Sequence, residues 1–240
     1  LKIEPSKIGL SEYLEEVKNN DFNKQDIISK FRIKLKNSKL YNCFDVIPAD
    51  DSFLGKSSQE LMKIEKGSLR NILSQFTDDY DYIIIDAPPG DNYFTREAIV
   101  AADVILMPSK HNSISSFKNA AMAMKQILPQ LGSERRAFSP VLADPTPLPI
   151  FFNGEQITEA SKKQAQKAID ELIETVKVEN QIDLTSFFFP RFSDVQEDKT
   201  IFTIPNYAYI SSIAFSYRPA VFTSKVARGH YKQLIEEYFI

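Results

Sequence analysis

The sequence predicts an α/β fold in which helices cover both faces of a doubly wound, mostly parallel β-sheet. Short apolar runs alternate along the chain with longer amphipathic segments, which is the order that β-α-β units require. In the run 82–86 three isoleucines follow one another without polar alternation, as in a strand that is buried on both faces. Hydrophobic residues make up 43% of the 240-residue chain, a share that supplies a substantial core and argues against a disordered or fibrous protein.

The first part of the chain is predicted to contain two helical segments with one strand between them. Residues 8–39 carry apolar side chains three and four positions apart, from Leu10 to Leu35, and this spacing predicts helix. Residues 44–48 form a short apolar run that a proline ends, which indicates a strand. Residues 57–76 again show apolar side chains at helical spacing.

The rest of the chain is predicted to alternate short strands with amphipathic helices. The strands are short apolar runs bounded by proline or polar residues: 82–86, 103–108, 148–153, 187–189 and 202–204. The helices carry an apolar stripe with charged residues opposite it: 113–131, 159–178 and 224–239. Because no internal repeat or long linker interrupts this order, we expect one α/β domain over residues 1–240.

Charge and cysteine content narrow the class of protein. The 29 Lys+Arg and 32 Asp+Glu residues give a net charge of −3, which argues against a nucleic-acid-coating protein but leaves room for a local basic patch. Cys43 is the single cysteine, so an internal disulfide and a Cys-rich zinc site are excluded and a reducing, cytoplasmic location is expected. No apolar run approaches the roughly 18 residues of a membrane-spanning helix.

The most informative residues follow the run 82–86. In an open α/β sheet, ligands bind at the carboxyl ends of the strands, and there the chain places Asp86 and then Pro88-Pro89-Gly90. A carboxylate at the end of a buried strand suits a magnesium ion, and a glycine lets a backbone N–H approach a phosphate. The alternative is an aspartate that only caps a following helix.

The segment 80–89, with the sequence YDYIIIDAPP, resembles the Walker B segment of the ParA/MinD family of deviant Walker A ATPases. Residues 102–108 are similar to the strand that follows this segment in the family, and residues 44–48 to the strand that precedes it. Residues 204–206, followed by 218–221, are similar to the family's late Ile-Pro-Arg loop and its next strand. The resemblance covers almost the whole chain and implies a P-loop NTPase-like fold that binds ATP with Mg²⁺.

The resemblance implies roles for five residues. Asp86 would be the magnesium-associated carboxylate, and Gly90 would belong to the switch that senses the γ-phosphate. Asn153 matches a position that often hydrogen-bonds adenine, although Asn-Gly is also a favoured turn pair. Pro205 and Asn206 match the loop that closes over the base. The family usually has arginine where this chain has Asn206, which changes that contact.

The family's glycine-rich phosphate loop, with its two lysines, is not found in the sequence. It would precede Leu1, so the chain is expected to be N-terminally incomplete, and ATP hydrolysis is expected to depend on an upstream P-loop. Gly55-Lys56-Ser57 has the context of a phosphate loop, but the motif requires glycine where Asp50 stands. That segment is interpreted as a loop followed by a helix that Ser57 caps.

Positive charge gathers near the C-terminus. Lys225, Arg228 and Lys232 are three and four residues apart and share one helix face, with Arg218 shortly before them. Such a stripe contacts phosphates without sequence preference, or it is simply a solvated face. The resemblance favours the first interpretation, because ParA-type proteins bind non-specific DNA as ATP-dependent homodimers. It also implies a ParB-like partner protein and association with the nucleoid.

The leading functional hypothesis is therefore a ParA-like ATPase of plasmid or chromosome partitioning. One alternative is a homologue without a P-loop that acts as a protein-interaction module. Another is a MinD-like ATPase that a C-terminal amphipathic helix holds at a membrane. Glu236 and Glu237 lie near the end of that helix and oppose binding to a lipid surface, so a membrane partner is not expected.

Overall fold

The computed structural model describes residues 2–16, 23–34, 40–49, 64–110, 113–154, 158–208, 210 and 219–239. The chain divides into two units, Leu1–Ala101 and Ala102–Ile240, and each has a hydrophobic core of its own. The predicted α/β class is confirmed, because helices alternate with parallel strand pairs in the second unit. The expectation of one ATPase-type domain over residues 1–240 stays a prediction.

A three-stranded antiparallel sheet opens the first unit. Its strands are β1 (Lys2–Glu4), β2 (Ser29–Lys34) and β3 (Leu40–Val46), in the order β1-β2-β3. Phe31 lies opposite Phe44, and their rings stack with centroids 4.9 Å apart. The residues predicted as the strand 44–48 thus belong to an antiparallel sheet, whereas the parallel pairs lie in the second unit.

The helix predicted over residues 8–39 is present as α1 (Leu10–Glu16) and is wrong over the described residues 23–34. Asn23 begins a short 3-10 turn, Lys24–Ile27, because its side chain accepts a hydrogen bond from the Gln25 N–H at 3.0 Å. The chain then enters β2 instead of helix. Pairing with β1 and β3 on both sides outweighs the helical spacing of the apolar residues.

Two helices complete the first unit: α2 (Ser68–Ser74) and α3 (Tyr93–Ala101). Of the helix predicted over residues 57–76, the described residues 64–76 are helical only over Ser68–Ser74. The Gly55-Lys56-Ser57 segment lies outside the described residues. The core of this unit brings together buried side chains from α1, the 3-10 turn, α2 and the turn after it: Tyr13, Ile27, Ile28, Ile72 and Phe76.

Tyr80 ties the turn after α2 to the antiparallel sheet. Its hydroxyl donates a hydrogen bond to Asp45 Oδ2 at 2.6 Å. Burial, followed by this hydrogen bond and the negative charges of Asp45 and Asp79, raises the pKa of Tyr80 from 10.0 to about 12. The neutral phenol is therefore the form that the folded unit favours.

Alkaline pH is expected to destabilise the first unit through Tyr80. Because the pKa is higher in the folded than in the unfolded state, the stabilisation is complete below pH 10 and is lost as the pH rises through about 12. The melting temperature of Tyr80→Phe, followed by circular dichroism, should fall less steeply over this interval than that of the parent. For Asp45→Asn the fall in melting temperature with pH should be intermediate, because this variant loses the negative charge but keeps a hydrogen-bond acceptor. A Tyr80→Phe variant with the parent's pH profile would contradict this account.

The buried strand predicted over residues 82–86 is wrong. Residues 82–88 have no strand assignment, and Tyr82 and Ile84 are 66% and 83% exposed. A continuous apolar run is buried on two faces only where neighbouring strands flank it, and none of the sheets in the described residues includes this run. Asp86 is therefore an exposed residue of an irregular segment.

In the second unit, all pairs of described strands are parallel. β4 (Val104–Ile105) pairs with β6 (Thr146–Pro147). A second sheet has the order β5-β7-β8 and consists of β5 (Pro108–Ser109), β7 (Phe151–Asn153) and β8 (Thr203–Ile204). The single strand predicted over residues 103–108 is thus two short strands with different partners, because the chain changes neighbour between Ile105 and Pro108.

A continuous helical path begins where the sequence predicted the helix 113–131. It consists of α4 (Ile114–Met122), a π turn (Ala123–Ile127) and α5 (Leu128–Phe138). In the π turn the Leu128 N–H donates to the Ala123 carbonyl, five residues back. Pro129 explains this turn: in an α-helix its ring clashes with the carbonyl four residues back, and it has no N–H to donate.

The remaining helices are α6 (Glu159–Asn180), α7 (Thr185–Phe188), α8 (Ala220–Thr223) and α9 (Lys225–Tyr238). α6 and α9 confirm the helices predicted over residues 159–178 and 224–239. α7 replaces the strand predicted over residues 187–189, and the Phe189 N–H donates to the Thr185 carbonyl at 2.7 Å. Adjacent buried phenylalanines fit a short helix as well as a strand, so periodicity alone misassigned this run.

α9 lies against β8 and is fixed at its C-terminal end. The Tyr238 hydroxyl donates to the Ile150 carbonyl at 3.3 Å, and its ring contacts those of Phe151 and Phe202, with centroids 5.6 and 6.0 Å away. Arg191 adds an ion pair with Glu237 at 2.6 Å. Within the described part of the chain, every helix is too short or too polar to traverse a lipid bilayer.

Candidate functional site

Asp86 and Gly90 are exposed residues of the irregular segment that precedes α3. Gly90 has φ +93°, in the left-handed region that favours glycine. A Cβ atom built on Gly90 would meet no heavy atom within 4 Å, so open space surrounds this backbone. An exposed carboxylate and an accessible glycine backbone therefore lie four residues apart on one loop.

The start of α3 holds this loop in place. The Thr95 hydroxyl donates to the Pro88 carbonyl at 2.8 Å, and the Thr95 N–H donates to the Asn92 side chain at 3.1 Å. Arg96 forms two hydrogen bonds with Asp91, from Nε at 2.6 Å and from Nη2 at 2.8 Å. The hydrogen bonds from Arg96 lower the pKa of the Asp91 carboxyl below its ordinary value. The loop is thus fastened on both sides of Gly90.

Sequence reasoning did not identify Thr95 and Arg96 as loop-holding residues. The Asn92 cap was detectable, because asparagine is a favoured residue at helix starts. The ion pair between Asp91 and Arg96 has a spacing of five, which is not one of the usual helical spacings for ion pairs. This ion pair forms because the backbone turns at Gly90 and places Asp91 beside the first turn of the helix. The sequence alone does not show that turn.

The buried Glu97 connects α3 to α2. Its two carboxylate oxygens accept hydrogen bonds from the Gly67 N–H at 2.9 and 3.1 Å. Arg70 adds a second link, because its Nη1 donates to the Ala101 carbonyl at 2.8 Å. A buried carboxylate is stable when backbone donors satisfy it, so Glu97 fixes the helix that carries the loop-holding residues.

In the second unit, β7 and β8 bring three of the predicted residues to one edge. Asn153 is the last residue of β7 and is in register with Ile204, the last residue of β8. The Gly154 N–H donates to the Ile204 carbonyl at 2.9 Å, so the two strand ends lie side by side. Pro205 and Asn206 continue directly from β8 and are exposed, as is Asn153. The structure therefore places Asn153 beside the 205–206 segment.

Ser109 at the end of β5 is a polar residue of this edge that sequence reasoning missed. It is in register with Phe152 and is 5% exposed. Its buried Oγ has no hydrogen-bond partner within the described ranges. An orphaned buried hydroxyl beside a strand end fits a polar ligand at that edge. A serine directly after an apolar strand was the available signal.

The basic residues of α9 lie on one exposed face, as their spacing predicts. The Arg228 Nε donates to the Val221 carbonyl at 2.9 Å, and Lys232 pairs with Glu236 at 3.1 Å. Lys225 occupies the first position of the helix and is exposed. Arg218 lies outside the described residues. Three cationic groups thus project from one helix, and one of them is partly neutralised.

The acidic groups fit magnesium only together with a nucleotide. The described residues contain no group of three or more His, Cys, Asp or Glu side chains that would hold a metal ion alone. Mg²⁺ is commonly held by one or two carboxylates together with substrate phosphates and water. The exposed Asp86 fits that coordination, whereas a metal centre built from protein ligands alone is not supported.

Two proteins of known sequence show partial similarity to this chain. An uncharacterized protein from Pseudomonas putida is 30% identical over 94 residues, which cover 38% of this chain and 36% of that protein. The maintenance of carboxysome distribution protein A of Synechococcus elongatus is 28% identical over 131 residues, 54% of this chain and 49% of that protein. The chain therefore spans between a third and a half of the length of these relatives.

The fold resembles that of a solved structure, and a protein-family model matches the first half of the chain. A Cyanothece McdA variant in complex with ATP has a TM-score of 0.55 with this chain at 16% identity, over 97% of this chain and 77% of that chain. At that identity the similarity concerns the fold. The AAA_31 profile, described as an AAA domain, matches residues 3–132, which is more than half of the chain. The chain therefore belongs to the AAA_31 family of AAA domains, and its resemblance to the ParA/MinD ATPases is confirmed.

Proposed function

We propose that this protein is a ParA-like ATPase that partitions or positions a cargo. It binds ATP with Mg²⁺, dimerises on the nucleotide, and as a dimer binds DNA without sequence preference. Hydrolysis of ATP releases the protein from DNA. The protein interacts with a ParB-like partner protein and associates with the nucleoid. Hydrolysis requires a glycine-rich phosphate loop in addition to Asp86 and Gly90.

The loop from Asp86 to Gly90 is the observation that carries this proposal. Asp86 is exposed, Gly90 offers accessible backbone in a left-handed conformation, and Thr95 and Arg96 hold the loop in that form. Because these contacts fix the conformation of the loop, little ordering of the loop opposes phosphate binding. When bound, Mg²⁺ neutralises phosphate charge, and Asp86 is the residue that would hold it.

The strand ends of the second unit support recognition of the base. The Asn153 amide can donate to and accept from an adenine edge, and Pro205 offers an apolar surface beside it. Asn206, where arginine is usual in the family, supplies a neutral amide in place of a guanidinium. We therefore expect base recognition here to use hydrogen bonds and apolar contact without a stacked cation.

The exposed face of α9 supports DNA binding. Lys225, Arg228 and Lys232 supply positive charge along one helix face, and such charges contact phosphates irrespective of base sequence. The net charge of −3 for the whole chain makes this local concentration of positive charge more distinctive. Arg218 is assigned to the same surface by sequence alone.

Asp86→Ala is expected to lower the affinity of the full-length protein for ATP in the presence of Mg²⁺ by about tenfold, and to change the affinity in EDTA much less. Isothermal titration calorimetry with and without Mg²⁺ measures both values. Asp81→Ala is the matched control, because Asp81 is an exposed aspartate that comes five residues earlier. If the parent binds no ATP, or if Asp86→Ala equals the parent, the proposal fails. The first of these results would favour a non-catalytic interaction module.

A further inference from the structure

We propose that Tyr207 couples the nucleotide-side segment Pro205–Asn206 to the basic helix α9, so that nucleotide binding at the end of β8 changes the affinity of α9 for DNA. This inference rests on the proposed function and names the residue through which its two ligands communicate. The coupling lies wholly within the second unit. It uses contacts that join the end of a strand to the start of a helix.

Tyr207 is the residue through which the segment after β8 reaches α9. It follows Asn206 directly and is half-buried. Its hydroxyl lies 3.5 Å from Ser224 Oγ, and its ring meets the imidazole of His230 edge-on, with centroids 6.1 Å apart and an interplanar angle of 72°. The Tyr207 side chain therefore contacts the N-cap residue of α9 and a second residue near the middle of the helix.

The contact at Ser224 involves the cap of the helix. The Ser224 side chain accepts a hydrogen bond from the Ala227 N–H at 3.2 Å, which satisfies a backbone donor of the first turn. If Tyr207 moves and the Ser224 hydroxyl moves with it, the hydrogen bond that caps the first turn of α9 changes. A shift of the 205–206 segment therefore reaches the first turn of α9 directly.

Two of the three basic residues of α9 lie in the half of the helix that Tyr207 contacts. Lys225 directly follows Ser224, and Arg228 lies between Ser224 and His230. The other end of the helix is anchored by the hydrogen bond from Tyr238 to Ile150 and by its aromatic neighbours. With the C-terminal end fixed, a displacement transmitted through Tyr207 tilts or rotates the N-terminal half and moves its cations relative to a DNA backbone.

Such a device must obey thermodynamic linkage. If nucleotide raises the affinity for DNA by a given factor, DNA raises the affinity for nucleotide by the same factor. Removal of the Tyr207 contacts should reduce this factor and leave each separate affinity nearly intact, because Tyr207 is neither a basic residue of α9 nor part of the 205–206 segment. A merely structural role would instead weaken DNA binding in the absence of nucleotide.

The test compares the full-length parent with Tyr207→Ala in fluorescence-anisotropy titrations of a labelled non-specific duplex. Each protein is titrated without nucleotide and with saturating ATP and Mg²⁺. For the variant we expect a DNA affinity without nucleotide within about twofold of the parent, and an ATP-induced enhancement that is at least about fivefold smaller. The effect of DNA on ATP affinity, measured by calorimetry, should fall by the same factor.

His230→Ala removes the partner ring from the other side of the contact, and the double variant should lose no more than the larger of the two single losses. Phe138→Ala is the matched control, because it truncates an exposed aromatic ring at the end of α5 in the same unit. Parental enhancement in both Tyr207→Ala and His230→Ala would overturn the inference. So would a loss of DNA affinity in the absence of nucleotide. A parent that binds neither ATP nor DNA would refute the proposed function itself.

Discussion

Phe188→Ala is expected to lower the free energy of unfolding of the second unit by about 3–5 kcal/mol, the usual cost of removing a fully buried aromatic side chain. Phe188 is 0% exposed and belongs to the core cluster that includes Phe117, Ile150 and Ile169. α7 is only four residues long, so it contributes little helical stability of its own and depends on this burial. Truncation leaves a cavity that a short helix between two turns cannot close.

Urea denaturation followed by circular dichroism measures this loss. The control is again Phe138→Ala, which removes the same number of atoms from a ring that is 42% exposed, and it should cost much less. Similar midpoints for the two variants would show that Phe188 does not carry the core. That outcome would also remove the physical reason for the helical conformation of residues 185–188.

Arg135→Ala is expected to lower the free energy of unfolding by about 2–3 kcal/mol. Arg135 is 2% exposed, its Nη1 donates to the Ala102 carbonyl, and its Nη2 lies 2.5 Å from Asp103 Oδ1. The substitution leaves a carbonyl without its donor and empties the space of a long side chain. Asp103 is largely exposed and regains water, so the cost stays below that of a fully buried ion pair.

The neighbouring Arg136 supplies a control of the same chemistry. It pairs with Asp144, but both side chains are about half exposed. Exposed ion pairs contribute roughly 0–1 kcal/mol, so Arg136→Ala should change the urea midpoint only slightly. Equal effects of the two substitutions would mean that burial does not distinguish these adjacent arginines.

Long helices were predictable from the sequence because their signal is local. The prediction over residues 159–178 corresponds to α6 at Glu159–Asn180, and that over residues 224–239 corresponds to α9 at Lys225–Tyr238. In both segments the apolar stripe repeats over several turns. Ser or Thr caps each helix: Thr158 accepts from the Ser161 N–H at 3.2 Å, and Ser224 caps α9.

Short apolar segments were not predictable, because their conformation depends on distant partners. The residues of β2 have helical spacing, yet pairing with β1 and β3 makes them a strand. The run 82–86 has the composition of a buried strand, yet no sheet of the described residues contains it. Periodicity cannot supply the neighbouring strand that decides each case.

The candidate site likewise contains residues that the sequence suggested and residues that only the folded structure reveals. Asn153 and residues 205–206, which the resemblance implied to be near the base, lie side by side because β7 and β8 are neighbours. The roles of Thr95, Arg96 and Tyr207 depend on contacts that only the folded backbone creates. Their functional assignments, and those of Asp86 and Gly90, are predictions that the binding experiments test.

The π turn before Pro129 determines the directions in which the side chains of α5 project from the helix axis. Each residue of an α-helix advances the chain by about 100°. Deleting one residue from Ala123–Ile127 would therefore rotate α5 by roughly that angle and carry the Arg135 guanidinium away from the Ala102 carbonyl. A single proline thus sets where an arginine six residues later points, and length changes in this turn are far less tolerable than substitutions.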